Sequence, residues 1–183
     1  MVIALLGESA SGKSSLEKEL VKKYGLSKII SYTTRPQREY EEQGIDYNFI
    51  NKEELEKLKS EDFFAETAVY NGWFYGTAKK DYTDKNKIVT LTPHRLRQIK
   101  KNPNIEIISF YIKIPRRDRL IKCLQRGDNI DEAIRRNLSD VGQFDGIENE
   151  VDIIIENESY KKSIDALSRL VYFCCNHNFK LQF

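Results

Sequence analysis

The feature that most constrains this chain is its first turn, Gly7-Glu8-Ser9-Ala10-Ser11-Gly12-Lys13-Ser14, which fits the pattern G-x-x-x-x-G-K-[ST]. The apolar run Val2-Ile3-Ala4-Leu5-Leu6 enters it like a strand, and Leu16, Leu20 and Val21 leave it at helical spacing. A strand, a Gly-rich turn and a helix in that order aim successive backbone N–H groups at an anion, and the helix dipole adds positive potential. The glycines supply dihedral angles that residues with a Cβ resist. In such a loop Lys13 reaches the outer phosphates of a nucleoside triphosphate and the Ser14 hydroxyl ligates magnesium, with Ser15 beside them. The motif predicts a triphosphate donor and leaves the acceptor open.

A chain of 183 residues with 40% hydrophobic and 32% charged residues suits one α/β domain with a sizeable core. Lys and Arg total 30 against 28 Asp and Glu, so no global charge draws it to nucleic acid or to a membrane surface. No apolar run approaches the roughly 20 residues of a membrane span, and Val2–Leu6 is too short for a signal peptide. Three cysteines (Cys123, Cys174, Cys175) make an odd, poorly bridgeable set, which fits a reducing cytoplasm. Cys174, Cys175 and His177 match no common metal-site spacing, and helix-end packing is the expectation for the thiols.

Along the chain, Gly25 sits where a left-handed cap would close the first helix, and Lys28–Ile30 reads as a short strand. From Ser31 the sequence turns polar and rich in Arg and Tyr. Tyr47–Ile50 and Phe63–Tyr70 read as strands around a charged helix at Lys52–Ser60, with an Asn71-Gly72 hairpin turn before Trp73–Tyr75. Then alternation resumes, with strands at Lys87–Leu91, Ile105–Ile112 and Val151–Ile155. Helices are expected at Pro93–Lys100, Pro115–Leu124, Asp131–Phe144 and Ser159–Tyr172. This pattern predicts a parallel sheet with helices on both faces, of the phosphate-loop NTPase type. Residues 31–83 form a small mixed α/β excursion from a core at 1–30 and 84–183.

Within the excursion, Ser31-Tyr32-Thr33-Thr34-Arg35-Pro36-Gln37-Arg38 is followed by Glu41, Gly44, Asp46 and Tyr47, and farther on by Glu66, Tyr75, Gly76 and Thr77. Two arginines three apart beside tyrosines suit a dianionic phosphate, because guanidinium forks pair with phosphate oxygens bidentately. Glu41 is placed to hold those arginines when the site is empty. A solvated Arg/Glu loop is the bland reading of the same residues.

Over nearly its whole length the chain resembles the guanylate kinases: in the loop at Gly7–Ser14, in the Thr-Thr-Arg-Pro-x-Arg segment leading to Gly-x-Asp-Tyr, in Glu66 to Thr77, and around Arg126. The resemblance implies a grip on the phosphate of GMP by Ser31, Arg35, Arg38, Tyr47 and Tyr75, with Glu41 in support. It implies guanine reading by Glu66 and Thr77, and a helical lid at about residues 125–145. Asn157 matches the position near the donor adenine, or is simply a turn residue. A carboxylate suits guanine, whose N1–H and amino group both donate. Adenine would present a lone pair to Glu66, and an unmet buried charge supports discrimination of about 10³.

The chain departs from the family pattern at several places. Glu8 stands where Pro is usual, and Ala10 where Gly is common. Thr90 and Thr92 replace acids that help hold magnesium's water shell and the acceptor. Cys123, in the helix before the lid, stands where Arg is usual, and Asn137 takes a similar place after it. Arg126 matches the lid arginine, and Arg135 or Arg136 could replace a lost partner, since phosphoryl transfer needs positive charge on the migrating group more than any one donor. The expectation is therefore an enzyme, monomeric or homodimeric, that uses Mg2+ with ATP to phosphorylate GMP or dGMP. Its rivals are a kinase of the same fold acting on ribose 1,5-bisphosphate or on other deoxynucleoside monophosphates, and a non-catalytic module binding phosphorylated peptides. Such modules typically lose the phosphate loop, whereas Gly12, Lys13 and Ser14 are all present.

Overall fold

In the computed structural model, which describes residues 1–39, 41–70 and 72–176, the run Val2–Leu6 is strand β1, and no residue of it is more than 4% exposed. Helix α1 (Lys13–Tyr24) follows, then β2 (Ser27–Lys28), β3 (Tyr32–Thr33), β4 (Asn48–Phe49), α2 (Lys52–Ser60), β5 (Phe64–Tyr70) and β6 (Trp73–Ala78). The second half comprises β7 (Lys87–Thr90), α3 (Pro93–Ile99), β8 (Ile107–Lys113), α4 (Arg116–Gln125), α5 (Ile130–Ser139), β9 (Ile153–Glu156) and α6 (Ile164–Asn176).

Five strands form a parallel sheet in the order β2-β7-β1-β8-β9. β1 therefore has a partner on each side, and its alternate residues feed two different cores. Ile3 and Leu5 join Leu16, Leu20, Phe110, Leu167 and Val171 beneath α1 and α6. Val2, Ala4 and Leu6 join Val89, Leu96, Ile99 and Ile147 on the α3 side. Burial on both faces is why the strand reads as an unbroken apolar run.

The excursion has a sheet of its own, ordered β4-β3-β6-β5. β3 has no strand signal in the sequence: Tyr32 and Thr33 look like loop residues but pair with Gly76 and Tyr75 of β6. β5 and β6 are antiparallel up to the pair Tyr70–Trp73. Asn71 lies outside the described residues, and Gly72 takes a left-handed φ of 76°. α2 has the expected boundaries because Asn51 and Glu54 form a reciprocal capping box.

Other expected boundaries shift for local reasons. β2 is two residues long, although the Ile29 N–H still donates to Ile88 O at 2.8 Å. α5 stops at Ser139, and Gly142 and Gly146 then take left-handed φ values, so the expected helix does not reach Phe144. The last helix begins at Ile164 and not at Ser159, because Ser159 and Tyr160 have φ of 49° and 53°, a left-handed conformation no α-helix accommodates. β9 starts two residues later than expected, after Asp152 has accepted hydrogen bonds from the N–H and hydroxyl of Ser109.

Among the described residues, no helix is long and apolar enough to cross a membrane. Cys123 and Cys174 are buried free thiols and Cys175 is half-buried; His177 lies outside the described residues.

Phe110, fully buried in the middle of β8, is the side chain most exposed to the cost of a cavity. Phe110→Ala is expected to destabilise the protein by about 3–5 kcal/mol in urea unfolding. A loss under 1 kcal/mol would show that the cluster beneath α1 and α6 collapses readily around the gap.

Candidate active site

β1 delivers the chain to Gly7, whose φ is 153°. A Cβ there would sit 2.5 Å from Ser11 Oγ and 2.8 Å from the carbonyl oxygen of Ile112, so the loop closes only around glycine. Gly12, at φ 94°, turns the chain into α1, and Lys13 and Ser14 begin the helix. Lys13 Nζ folds back into the loop, donating to Gly7 O at 2.5 Å and Glu8 O at 2.9 Å. Burial draws its pKa down to about 8 against the opposing pull of Asp140 and Glu8. The Ser9 N–H donates to Asp140 at 2.7 Å, so a carboxylate occupies one anion-binding group of the loop.

The Glu8 side chain engages Tyr111 and Arg119. Its carboxylate accepts from Tyr111 Oη at 3.2 Å and lies 3.5 Å from Arg119. Arg119, one of the basic residues of α4, is 5% exposed and turned inward, bonding Ile114 O, Ser9 O and the Asn137 side chain. It brings a buried guanidinium to the back of the loop, next to the Asn137 that departs from the arginine pattern.

In front of the loop, Arg126 and Arg136 line a cavity of about 420 Å3 together with Lys13, Ser14 and Cys123. Arg126 is paired with Asp128. Arg136 shares Glu132 with Arg135, and the two guanidiniums hold that carboxyl down at about 2. Arg135 lies off this cavity and donates to Tyr70 Oη at 3.1 Å, which is also 3.0 Å from Ser139 Oγ. Of the two candidate replacements, Arg136 is thus the one facing Lys13. Asn157 is buried, with both ends of its amide engaged by the Lys162 backbone, and it closes the loop before α6.

On the excursion, Glu41 is 8% exposed and gathers the arginine segment. It accepts from Arg35 Nη2 at 2.7 Å and from the Arg38 backbone N–H at 2.9 Å. The Arg35 hydrogen bond is the main reason its pKa lies below the ordinary carboxylate value. Arg35 lies 5.3 Å over the Tyr47 ring, and Tyr47 packs edge-on to Tyr75 at 6.0 Å. A bonding chain then runs through the interior: Thr77 Oγ1 to Glu66 at 2.6 Å, Arg95 onto Glu66, and Arg95 to Ser31 Oγ at 3.1 Å. Thr77 lies across from Glu66, and at the adjacent residue of β6 a Cβ on Gly76 would meet the Glu66 carbonyl oxygen at 3.0 Å.

The two halves meet in a cleft of about 350 Å3, lined by Lys13 and Ser14 on one side and by Ser31, Tyr47, Tyr75 and Arg95 on the other. Thr90 and Thr92 lie at its base with Glu17. Glu17 is 7% exposed, accepts from Thr90 Oγ1 at 2.9 Å and faces Lys28 at 3.3 Å. Glu17, Arg95 and Asp140 belong to no motif in the sequence. Glu17 is flanked by the core residues Leu16 and Leu20, and a buried acid there, one helical turn after Lys13, was the available signal.

The sequence profile of the family described as "Guanylate kinase" matches residues 1–172. A guanylate kinase of Mycoplasma genitalium is 31% identical, with 93% of this chain and 74% of the relative covered. One from Schizosaccharomyces pombe is 30% identical over 92% of this chain and 88% of its own length. Among solved structures, the guanylate kinase of Anaplasma phagocytophilum superposes with a TM-score of 0.69, covering 99% of this chain and 87% of that one at 20% identity, which bears on the fold alone.

The lowered Lys13 pKa has a consequence for stability. The unfolded lysine titrates near 10.5 and the folded one near 8, so between those values the unfolded chain binds more protons and stability rises with pH. Lys13→Met removes the penalty of burying the charge. The variant is expected to melt above the wild type at pH 7, with the gap closing between about pH 8 and pH 10.5. A gap that stays constant across a pH series of melts would assign the effect elsewhere.

Proposed function

This chain belongs to the guanylate kinase family, and from that membership we propose that it transfers the γ-phosphoryl group of ATP to GMP or dGMP, giving ADP and GDP or dGDP. The observation that carries the reading is the single cleft in which Lys13 and Ser14 face Tyr47 and Tyr75, with Arg35 seated on Tyr47. An acceptor phosphate gripped by Arg35, Arg38, Tyr47 and Tyr75 then points an oxygen toward a donor cradled by residues 7–15. That oxygen attacks the γ-phosphorus, the bond to the β–γ bridging oxygen breaks, and ADP leaves, with no covalent enzyme intermediate.

Lys13 gives up its bonds to Gly7 O and Glu8 O for the donor phosphates, and Asp140 yields the Ser9 N–H to a phosphate oxygen. Arg126 and Arg136 supply positive charge as the phosphoryl group moves, in the part played by lid residues 125–145. Arg135 supports that segment through Tyr70 and Glu132. Closing the cleft excludes water, which would otherwise accept the phosphoryl group.

The oxygen donors at the cleft base suit a hard divalent cation. Ser14 would ligate Mg2+ directly, and Glu17, held by Thr90, supplies a carboxylate for its water shell where the family pattern has acids on β7. Mg2+ carried in with ATP offsets the charge of the donor phosphates. Glu66 and Thr77 read the guanine edge, and Thr92 lies at the base of the same cleft.

A panel of monophosphate acceptors with ATP tests the reading, and GMP and dGMP are expected to be the best substrates. Preference for a ribose bisphosphate, or phosphopeptide binding without turnover, would replace it. Lys13→Ala is expected to cut kcat by at least about 10²-fold in folded protein, as loss of a preorganised transition-state donor does. Glu66→Gln should lower the GMP-to-AMP ratio of kcat/KM by about tenfold or more. An unchanged ratio would remove Glu66 from base reading.

A further inference from the structure

The acceptor side of the cleft holds a buried cation to which neither the loop motif nor the arginine segment assigns a role. Arg95 is the third residue of α3 and is 8% exposed. Its guanidinium forks onto Glu66, with Nε 2.5 Å from Oε2 and Nη2 2.6 Å from Oε1. Thr77 Oγ1 donates to Oε1 as well, at 2.6 Å.

An ionised carboxylate has about four acceptor positions, and here three are filled. The two that Arg95 takes lie along one edge, side by side, as a fork requires. Guanine presents the same geometry, because its N1–H and its amino N–H are parallel donors on one edge of the ring. A base read by Glu66 in that manner wants the edge that Arg95 already covers. The two forks are rivals for one carboxylate.

The guanidinium also has somewhere to go. Its Nη2 is 3.1 Å from Ser31 Oγ, at the phosphate-gripping end of the cleft, so Arg95 can let go of Glu66 and keep a partner among groups that face an anionic acceptor. We propose that Arg95 sets the base selectivity of this site: it competes with the incoming base for Glu66, and so weakens the preference for guanine over bases without paired N–H donors. This rests on the reading of Glu66 as the guanine-binding carboxylate. Adenine and hypoxanthine gain less from Glu66 and lose less to the competition, so position 95 moves the ratio between acceptors more than it moves the use of any acceptor phosphate.

The test compares wild type, Arg95→Met and Arg95→Gln in steady-state assays with ATP against GMP, IMP and AMP, alongside thermal melts with and without GMP. Arg95→Met is expected to lower KM for GMP and to raise the GMP-to-AMP ratio of kcat/KM by about tenfold or more, the scale set by freeing a buried charged hydrogen-bonding edge. GMP should also raise its melting temperature by more than it raises that of the wild type. Arg95→Gln keeps one donor for Glu66 and should move the same ratio in the same direction by less, which covers the case in which the methionine variant does not fold. Active, folded variants with an unchanged GMP-to-AMP ratio would overturn the role of Arg95 while leaving the GMP kinase reading intact. Selective loss of GMP turnover with AMP turnover retained would also overturn it, by making Arg95 a group the guanine needs. If neither wild type nor variants use guanine nucleotides, the reading of the acceptor itself fails, and the proposal with it.

Discussion

β1 is buried on both faces by two separate apolar clusters, and that double burial fixes where and in what direction Gly7 leaves the sheet. The loop has no freedom to compensate. Its first glycine is hemmed in by Ser11 and by the backbone of β8, and its second turns directly into α1. The placement of Lys13 and Ser14 therefore follows from packing in the middle of the sheet, well away from any ligand. Apolar burial of this extent is worth far more than any single contact within the loop. The core can thus hold a lysine half-buried among backbone carbonyls.

Charge reaches the cleft from backbone positions other than those the family pattern names. Thr90 at the end of β7 and Thr92 before α3 are not acids, yet Glu17 brings a carboxylate to Thr90 from the facing helix. Cys123 and Asn137 leave the helical segment short of arginines, yet Arg119 and Arg136 bring guanidiniums to the two sides of the loop. Side chains of this length reach the same volume from different backbone positions. Electrostatic stabilisation depends on where the charge ends up, which makes such exchanges physically cheap.

Local rules recovered the phosphate loop, the capping box of α2, Gly25 as a left-handed cap and the alternation of strands and helices, because each depends on neighbours a few residues apart. Tyr32 and Thr33 gave no strand signal, since their pairing with β6 is set some forty residues away. Ser159 and Tyr160 fit a helical spacing and still take left-handed dihedrals, held by contacts distant in sequence such as the Ser159 N–H to Asp118 of α4 and the Tyr160 hydroxyl to Ala10 O. Arg95 sits between His94 and Leu96 in what reads as an ordinary amphipathic helix. Only the fold reveals that its face of α3 turns toward Glu66. Asp140 is likewise silent in sequence, its partner lying 131 residues away.

One strand of the excursion connects two parts of the molecule that chain order keeps apart. β5 carries Glu66 near its start and Tyr70 at its end, and the Tyr70 hydroxyl touches both Arg135 and Ser139 of α5. Four residues of extended chain make a rod about 13 Å long, stiffened by its ladder to β6. It bears Glu66 near one end and rests against α5 at the other. The backbone that carries the Glu66 carboxylate and the helix that carries Arg135 and Arg136 are thus joined through one strand and its terminal hydroxyl.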